Sequence, residues 1–309
     1  MYQILAVMNF KISTPLIPFA ILFFFAFSYF ALSCSKKEDS PKNTVTSDTT
    51  TTTPPPETVS VPKMKSPESV DYDPKTKTFF ISNHGAGRIF KKQGDNLQVF
   101  VKGYSAFMGV KVHDAMVYAA EDVKGGDDKI RGFDSTSGDQ KFFLSIPNTG
   151  QLNDIEIVGN YLYVTDRARG GIYKINLTSK DYSTIDETIT TPNGLWYDTA
   201  NKRLLVCNTI AKSSIYAVDI VTDKVSSLVK TNYSHLDGIA VDEKGNIYCT
   251  SWSLSWEDSQ LIRYDGEAFT VLRENTDGMA DISYNATLKQ LDIANYYAND
   301  ITHFKIEEK

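Results

Sequence analysis

The sequence predicts an all-β chain closed into a six-bladed β-propeller of mostly four-stranded blades, and three observations carry that prediction. From residue 66 onward helix signals are almost absent. One hydrophobic pattern recurs six times, starting at Glu68, Met108, Asn153, Asn193, Asp237 and Ala280, and the starts are 40, 45, 40, 44 and 43 residues apart. That spacing is a blade period, and each period holds enough alternating runs for four short strands.

Within each copy the third and fifth residues are apolar, a short turn follows, and a second apolar alternation returns, as in NGLWYDTANKRLLVCN. Side chains alternate faces along a strand, so this is a period-2 hairpin. The copies end in a small residue and a mostly polar one: Ser82-Asn83, Ala120-Glu121, Thr165-Asp166, Cys207-Asn208, Cys249-Thr250 and Ala294-Asn295. Small residues fit where six inner strands crowd an axis, and the polar residues after them are expected near the same end of the channel. A third strand follows every hairpin, as in RIFKK and SIYAVDI, and a fourth follows the first five, as in LQVFV and KVSSLV. The sixth copy has only three, so Val59 to Lys63, VSVPK, is expected to complete that blade. Pro62 cannot donate to a ladder, which suits an outer edge.

Three segments are expected: a signal over residues 1–33, a tether over 34–57 and the propeller over 58–309. Lys11 precedes the apolar run LIPFAILFFFAFSYFAL, which is short for a membrane span and ends at ALSC. This resembles a bacterial lipoprotein signal, in which Cys34 becomes the lipidated first residue; the alternative is an uncleaved anchor helix. The Ser/Thr/Pro-rich stretch after Cys34 cannot bury a core and reads as a tether. The resemblance implies a lipid-anchored protein of the bacterial cell envelope, at the outer membrane or cell surface or facing the periplasm. Lys37-Glu38-Asp39 is similar to a surface-export signal.

The net charge is −6 and Lys and Arg form no stripe, which excludes the electrostatic footprint of a nucleic-acid binder. Small molecules and cations are the expected partners of a monomer, with the membrane engaged through Cys34. Cys207 and Cys249 fall in LLVCN and IYCTS, where Cys acts as a small buried hydrophobe, and two free thiols are expected.

The first residue of each copy marks where an inner strand opens at one end of the channel. Four of the six carry oxygen: Glu68, Asn153, Asn193 and Asp237. Side chains sharing one repeat phase meet around the axis, and carboxylate with amide oxygens suits a hard cation such as Ca²⁺ or another divalent ion. The set holds no His or thiol, which disfavours Zn²⁺. Trp252 and Trp256 in SWSLSWEDS could wall a pocket, His84 and His235 lie near the same end, and VKGGDD reads as a solvated acidic loop.

TPNGLWYD and LDGIAVDEKGNIY resemble the Asn and Asp metal-ligand motifs of the regucalcin and gluconolactonase family, six-bladed propellers that hydrolyse sugar lactones with a divalent cation. SPESVDYDP stands in the place of that family's first-blade Glu motif, and LNDIEI resembles its substrate-binding Asn-Asp motif, which is also similar to one in paraoxonases. The resemblance implies that Glu68, Asn193 and Asp237 ligate the metal, that Asn153 touches metal or substrate, and that Asp237 also serves as general base. Gln151, where the family carries a substrate-gripping Arg, and Trp252 join the expected substrate-binding residues. Glu68-Ser69-Val70 departs from the family's Glu-Gly-Pro. The alternatives to a lactone or ester hydrolase are a non-catalytic propeller that binds a carbohydrate, peptide or protein, and a metal-free repeat scaffold of the NHL kind.

Overall fold

In a computed structural model that describes residues 62–275 and 277–306, 23 strands run in chain order through six antiparallel sheets. Blade 1 is β1 (Pro67–Asp73), β2 (Thr78–Asn83), β3 (Arg88–Gln93) and β4 (Asn96–Lys102). Blade 2 is β5 (Ala106–His113), β6 (Met116–Asp122), β7 (Asp128–Asp134) and β8 (Gln140–Ile146). Blade 3 is β9 (Leu152–Val158), β10 (Tyr161–Asp166), β11 (Gly171–Asn176) and β12 (Tyr182–Asp186), and blade 4 is β13 (Pro192–Asp198), β14 (Arg203–Asn208), β15 (Ser214–Asp219) and β16 (Val225–Lys230). Blade 5 is β17 (Leu236–Val241), β18 (Ile247–Trp252), β19 (Ser259–Tyr264) and β20 (Phe269–Asn275), and blade 6 is β21 (Met279–Asn285), β22 (Gln290–Asn295) and β23 (Asp300–Lys305). The protein is a six-bladed propeller of mostly four-stranded blades.

The alternation explains the packing. Apolar residues at the third and fifth positions of each copy fill the spaces between blades, where Ile155 shares a core with Met108 and Ile130 of the preceding blade and Ile239 shares one with Leu205 and Ile215. Outer strands are half wet: in β16 only Val225 and Val229 are half-buried and the other four residues are exposed. Cys207 and Cys249 lie in one such core, buried and free.

Among the described residues blade 6 has three strands. Of the stretch expected to supply a fourth, Pro62 and Lys63 are not in a strand, and Val59 to Val61 lie outside the described residues, as do the signal, Cys34 and the tether. Blades 1 and 6 are nevertheless joined by side chains. The Ser69 hydroxyl donates to Asp281 Oδ2 at 2.6 Å, the Ser283 hydroxyl donates to Asp71 Oδ1 at 3.1 Å, and Leu288 and Ile301 pack against Val70 and Phe90. A groove of about 510 Å³ lies between blade 5 and β23, lined by Arg263 and Phe304 among others.

All six hairpins share a feature that periodicity does not reveal. The register between the two inner strands shifts across the first two residues of each copy, at Glu68-Ser69, Met108-Gly109, Asn153-Asp154, Asn193-Gly194, Asp237-Gly238 and Ala280-Asp281. An inserted residue of this kind bends a strand and re-aims its side chains. The second bulge residue is held to the next inner strand: Asp154 Oδ2 accepts the Leu195 N–H at 2.6 Å, and Ser69 Oγ accepts the Val110 N–H at 3.3 Å. At Gly194 and Gly238 the backbones approach directly. A Cβ there would meet Asp237 O at 2.4 Å and Ile282 N at 2.5 Å.

The small residues ending each hairpin complete the arrangement. Thr165 Oγ1 accepts the Asp154 N–H at 3.1 Å and donates to Asn193 O at 2.8 Å; Thr250 Oγ1 accepts the Gly238 N–H at 2.8 Å and donates to Ala280 O at 2.6 Å. Blade 5 therefore runs one residue later than the sequence pattern suggests. Leu236 pairs with Ser251, so its closing pair is Thr250-Ser251 rather than Cys249-Thr250.

Candidate functional site

The bulged residues converge. Glu68, Met108, Asn153, Asn193 and Asp237, from five blades, line one cavity of about 310 Å³ on the axis, together with Gln151, Trp252, Trp256, His84, Arg167, Tyr296 and Tyr297. All six residues expected at the site from sequence, Glu68, Gln151, Asn153, Asn193, Asp237 and Trp252, lie in this wall. Ala280, the oxygen-free first residue of blade 6, is buried and is not in the lining.

The four oxygen-bearing side chains are buried, at 4–9% exposure, and unequally committed. Asn193 donates its amide nitrogen to Thr209 Oγ1 at 2.9 Å, and Thr209 passes its own proton to Leu236 O at 2.9 Å. Asp237 Oδ2 accepts the Trp252 indole N–H at 2.8 Å. Glu68 and Asn153 have no side-chain hydrogen bond among the described residues. Burial pushes the Glu68 carboxyl well above the ordinary carboxylate range, Asp237 and Asp281 push it further, and Arg167 opposes them. Burial also raises Asp237, against the Arg167 guanidinium and the Trp252 and Asn193 hydrogen bonds.

Arg167, Tyr296 and Tyr297 escaped the sequence reading, which named Trp252 and His84 without the ring they belong to, and a single signal finds all of these but Tyr297. One residue past each hairpin's closing pair stand His84, Asp122, Arg167, Thr209, Trp252 and Tyr296. Four of these line the cavity, and the other two hold wall residues: Thr209 holds Asn193, and Asp122 Oδ2 accepts from Gln151 Nε2 at 3.1 Å. The polar residues of the closing pairs are used elsewhere. Asn83 Oδ1 accepts Lys65 N, Glu121 Oε1 accepts Ser105 N, Asp166 accepts Gly150 N and Gln151 N, Asn208 Nδ2 donates to Thr190 O, and Ser251 Oγ donates to Ser234 O. These five pin the loops that lead into their inner strands, whereas Asn295 Nδ2 donates to Asp300 Oδ1 at 2.8 Å and Thr302 Oγ1 at 2.6 Å in β23, and none of the six lines the cavity.

The aromatic residues form a continuous wall. Trp252 meets Tyr297 edge-on at 5.2 Å and Trp256 at 5.7 Å, and Tyr296 meets Tyr297 at 5.6 Å. His235 is not in the lining; its ring stacks on Trp256 at 4.2 Å, and its Nδ1 lies 3.2 Å from Ser253 O. His84 Nδ1 lies 3.0 Å from the Tyr296 hydroxyl, and burial lowers its pKa. The acidic loop at 123–128 is held by its own last residue, since Asp128 accepts the N–H groups of Val123 and Leu152 at 2.9 Å each.

The donor chemistry fits a hard cation. Two carboxylates disfavour each other's charge in a buried site, a repulsion that a cation relieves, and two amides supply neutral oxygens. Among the described residues no three His, Cys, Asp or Glu side chains gather into a metal-holding group. The set here is carboxylate-poor, since two of its four members are Asn.

Residues 150–276 match the family model described as SMP-30/Gluconolactonase/LRE-like region. That span holds Asn153, Asn193 and Asp237 and leaves Glu68 outside. No curated protein matches the chain. Among solved structures, a gluconolactonase from Xanthomonas campestris superposes with a TM-score of 0.65 at 14% identity, covering 76% of this chain and 84% of its own. A protein of unknown function from Bacteroides thetaiotaomicron gives 0.64 at 15% identity, covering 79% and 70%. A luciferin-regenerating enzyme gives 0.59 at 14% identity, covering 78% and 90%. At these identities the likeness shows the shared fold. Among the described residues no helix is long and apolar enough to cross a membrane.

Proposed function

We propose that this six-bladed propeller, whose residues 150–276 match the SMP-30/gluconolactonase-like model, is a divalent-cation-dependent hydrolase of a lactone or related ester, working at the axial cavity with Ca²⁺ as the suited ion. The observation that carries this reading is the convergence of Glu68, Asn153, Asn193 and Asp237 on one cavity. When bound, the cation would supply Lewis-acid polarisation of the substrate carbonyl. Those four side chains would hold it. Thr209 engages the Asn193 nitrogen and leaves the amide oxygen as the donor. Trp252 fixes one Asp237 oxygen. Asp237, in the cavity wall with one oxygen held by Trp252, would take the proton from water as general base.

Cys34, outside the described residues, would tether the protein to the bacterial cell envelope and leave the propeller a monomer in contact with small molecules. The test is hydrolysis of a lactone panel by the purified protein with Ca²⁺ and with chelator. Turnover should fall by about 10²-fold or more on chelation and in Asp237→Asn; activity indifferent to both would contradict the mechanism. A second reading, a non-catalytic binding module, is favoured by Gln151 and by Ser69-Val70 after Glu68. Tight cation binding without turnover would select it.

A further inference from the structure

Arg167 is the cavity's one Arg or Lys. It follows β10 in blade 3, where its N–H donates to Gln151 O at 2.9 Å and its Nη1 donates to Gln151 Oε1 at 3.0 Å. Gln151 cannot turn its oxygen away without losing a second bond, because its amide nitrogen donates to Asp122 Oδ2. Asp122, Gln151 and Arg167 thus form a chain that ends on the guanidinium. A guanidinium carries five N–H donors in a rigid plane. Here one side-chain bond goes to Gln151 and no carboxylate pairs with the group among the described residues, so donors of the fork are left over at the cavity wall. Donors left over at a cavity wall suit an acceptor brought by a ligand.

Across the ring, blades 5 and 6 present the opposite chemistry. Trp252, Trp256, Tyr296 and Tyr297 form an aromatic wall on which Trp256 is 36% and Tyr297 49% exposed. Large apolar rings left this open at a cavity offer stacking area to a planar partner. Charge points the same way. With Glu68 and Asp237 ionised, one guanidinium leaves the cavity at −1, and a bound divalent cation turns it to +1, favouring an anion.

We propose that the cavity takes a ligand bearing a carboxylate, gripped by Arg167, on an aromatic or other planar apolar body that lies against the Trp252–Tyr297 wall. A carboxylate takes two guanidinium N–H groups in parallel, which a neutral carbonyl cannot. Gln151 is a positioning residue for Arg167: where the family's substrate-gripping Arg is missing, the guanidinium comes from the neighbouring strand end. The inference deepens the hydrolase reading and rests on it for the reacting group and for the cation's charge, while the Arg167 fork and the aromatic wall stand without it.

The experiment reads tryptophan fluorescence of the full-length protein in Ca²⁺, titrated with 3-phenylpropanoate, its neutral amide and acetate. The acid should bind about tenfold or more tightly than the amide, and acetate more weakly than either. In Arg167→Met, checked by melting temperature to be folded, the acid preference should vanish while calorimetric Ca²⁺ binding persists; Arg167→Lys should recover part of it. Equal affinity for acid and amide, no binding of either, or a preference that survives Arg167→Met would overturn the assignment, the last because the carboxylate would then sit on the cation. Absent Ca²⁺ binding with the Arg167-dependent preference intact would sink the hydrolase reading and support this one.

Discussion

At Asn153 the side-chain amide has no hydrogen-bond partner among the described residues, whereas at Asp154, the next residue, both carboxylate oxygens accept backbone N–H groups, one from the neighbouring blade. The same contrast runs around the channel. At the mouth stand Glu68, Asn153, Asn193 and Asp237, with donor capacity left over. One position deeper stand Ser69, Asp154, Gly194, Gly238 and Asp281, whose side chains or bare backbones stitch inner strand to inner strand. Deeper still, the Lys111 ammonium reaches Glu156 at 3.1 Å and lies over the Trp196 ring at 4.6 Å. Burial alone would push Lys111 down, but Glu156 and then Asp71 raise it above the ordinary lysine range. Asp at the first repeat position, as in Asp237, therefore does different work from Asp at the second, as in Asp154 and Asp281. Oxygen saturated by the backbone is structural, and oxygen left over is free for a ligand.

That contrast breaks cleanly under substitution. Asp154→Ala strands the N–H groups of Leu195 and Ile155 in the interior and should lower stability by about 2 to 4 kcal/mol. Glu68→Gln removes a repelled carboxylate and should leave stability within about 0.5 kcal/mol or raise it. Urea unfolding of both variants without added metal checks the pair; equal losses would erase the distinction between mouth and interior.

A smaller effect sharpens the comparison through pH. Burial lifts Asp281 from the ordinary 3.8 to about 7, against hydrogen bonds from Ser69 and Ile282. A carboxyl whose folded pKa is raised contributes stability below its unfolded pKa and loses it as pH climbs through the folded value. Between about pH 4 and 7 this group therefore costs up to about 1.4 kcal/mol per pH unit. Asp281→Asn should flatten the decline of melting temperature from pH 5 to pH 8, and an unchanged slope would show that Asp281 is not the group responsible.

Much of the fold was legible because a repeat multiplies weak signals. Six copies of one alternation outvote any single ambiguous strand, and a shared phase puts Glu68, Asn153, Asn193 and Asp237 on one ring. The bulge beneath that ring was hidden, because a register shift leaves the order of apolar residues unchanged. In blade 5, Cys249, Thr250 and Ser251 are all small, so composition could not fix the hairpin's end to better than one residue; pairing with Leu236 does. Arg167 was missed for the same reason that His84 and Tyr296 were not seen as its ring-mates. Residues just past a strand look like turn, and only the register shows that they share a phase.

The central claim, that the mouth's spare oxygens hold a cation, is tested most directly by calorimetric titration of the purified, chelator-treated protein with Ca²⁺. The account predicts one site in the native protein and in Asp281→Asn, lost or weakened by about tenfold or more in Glu68→Gln and Asp237→Asn. No binding in the native protein, or binding untouched by the two mouth substitutions, would contradict it.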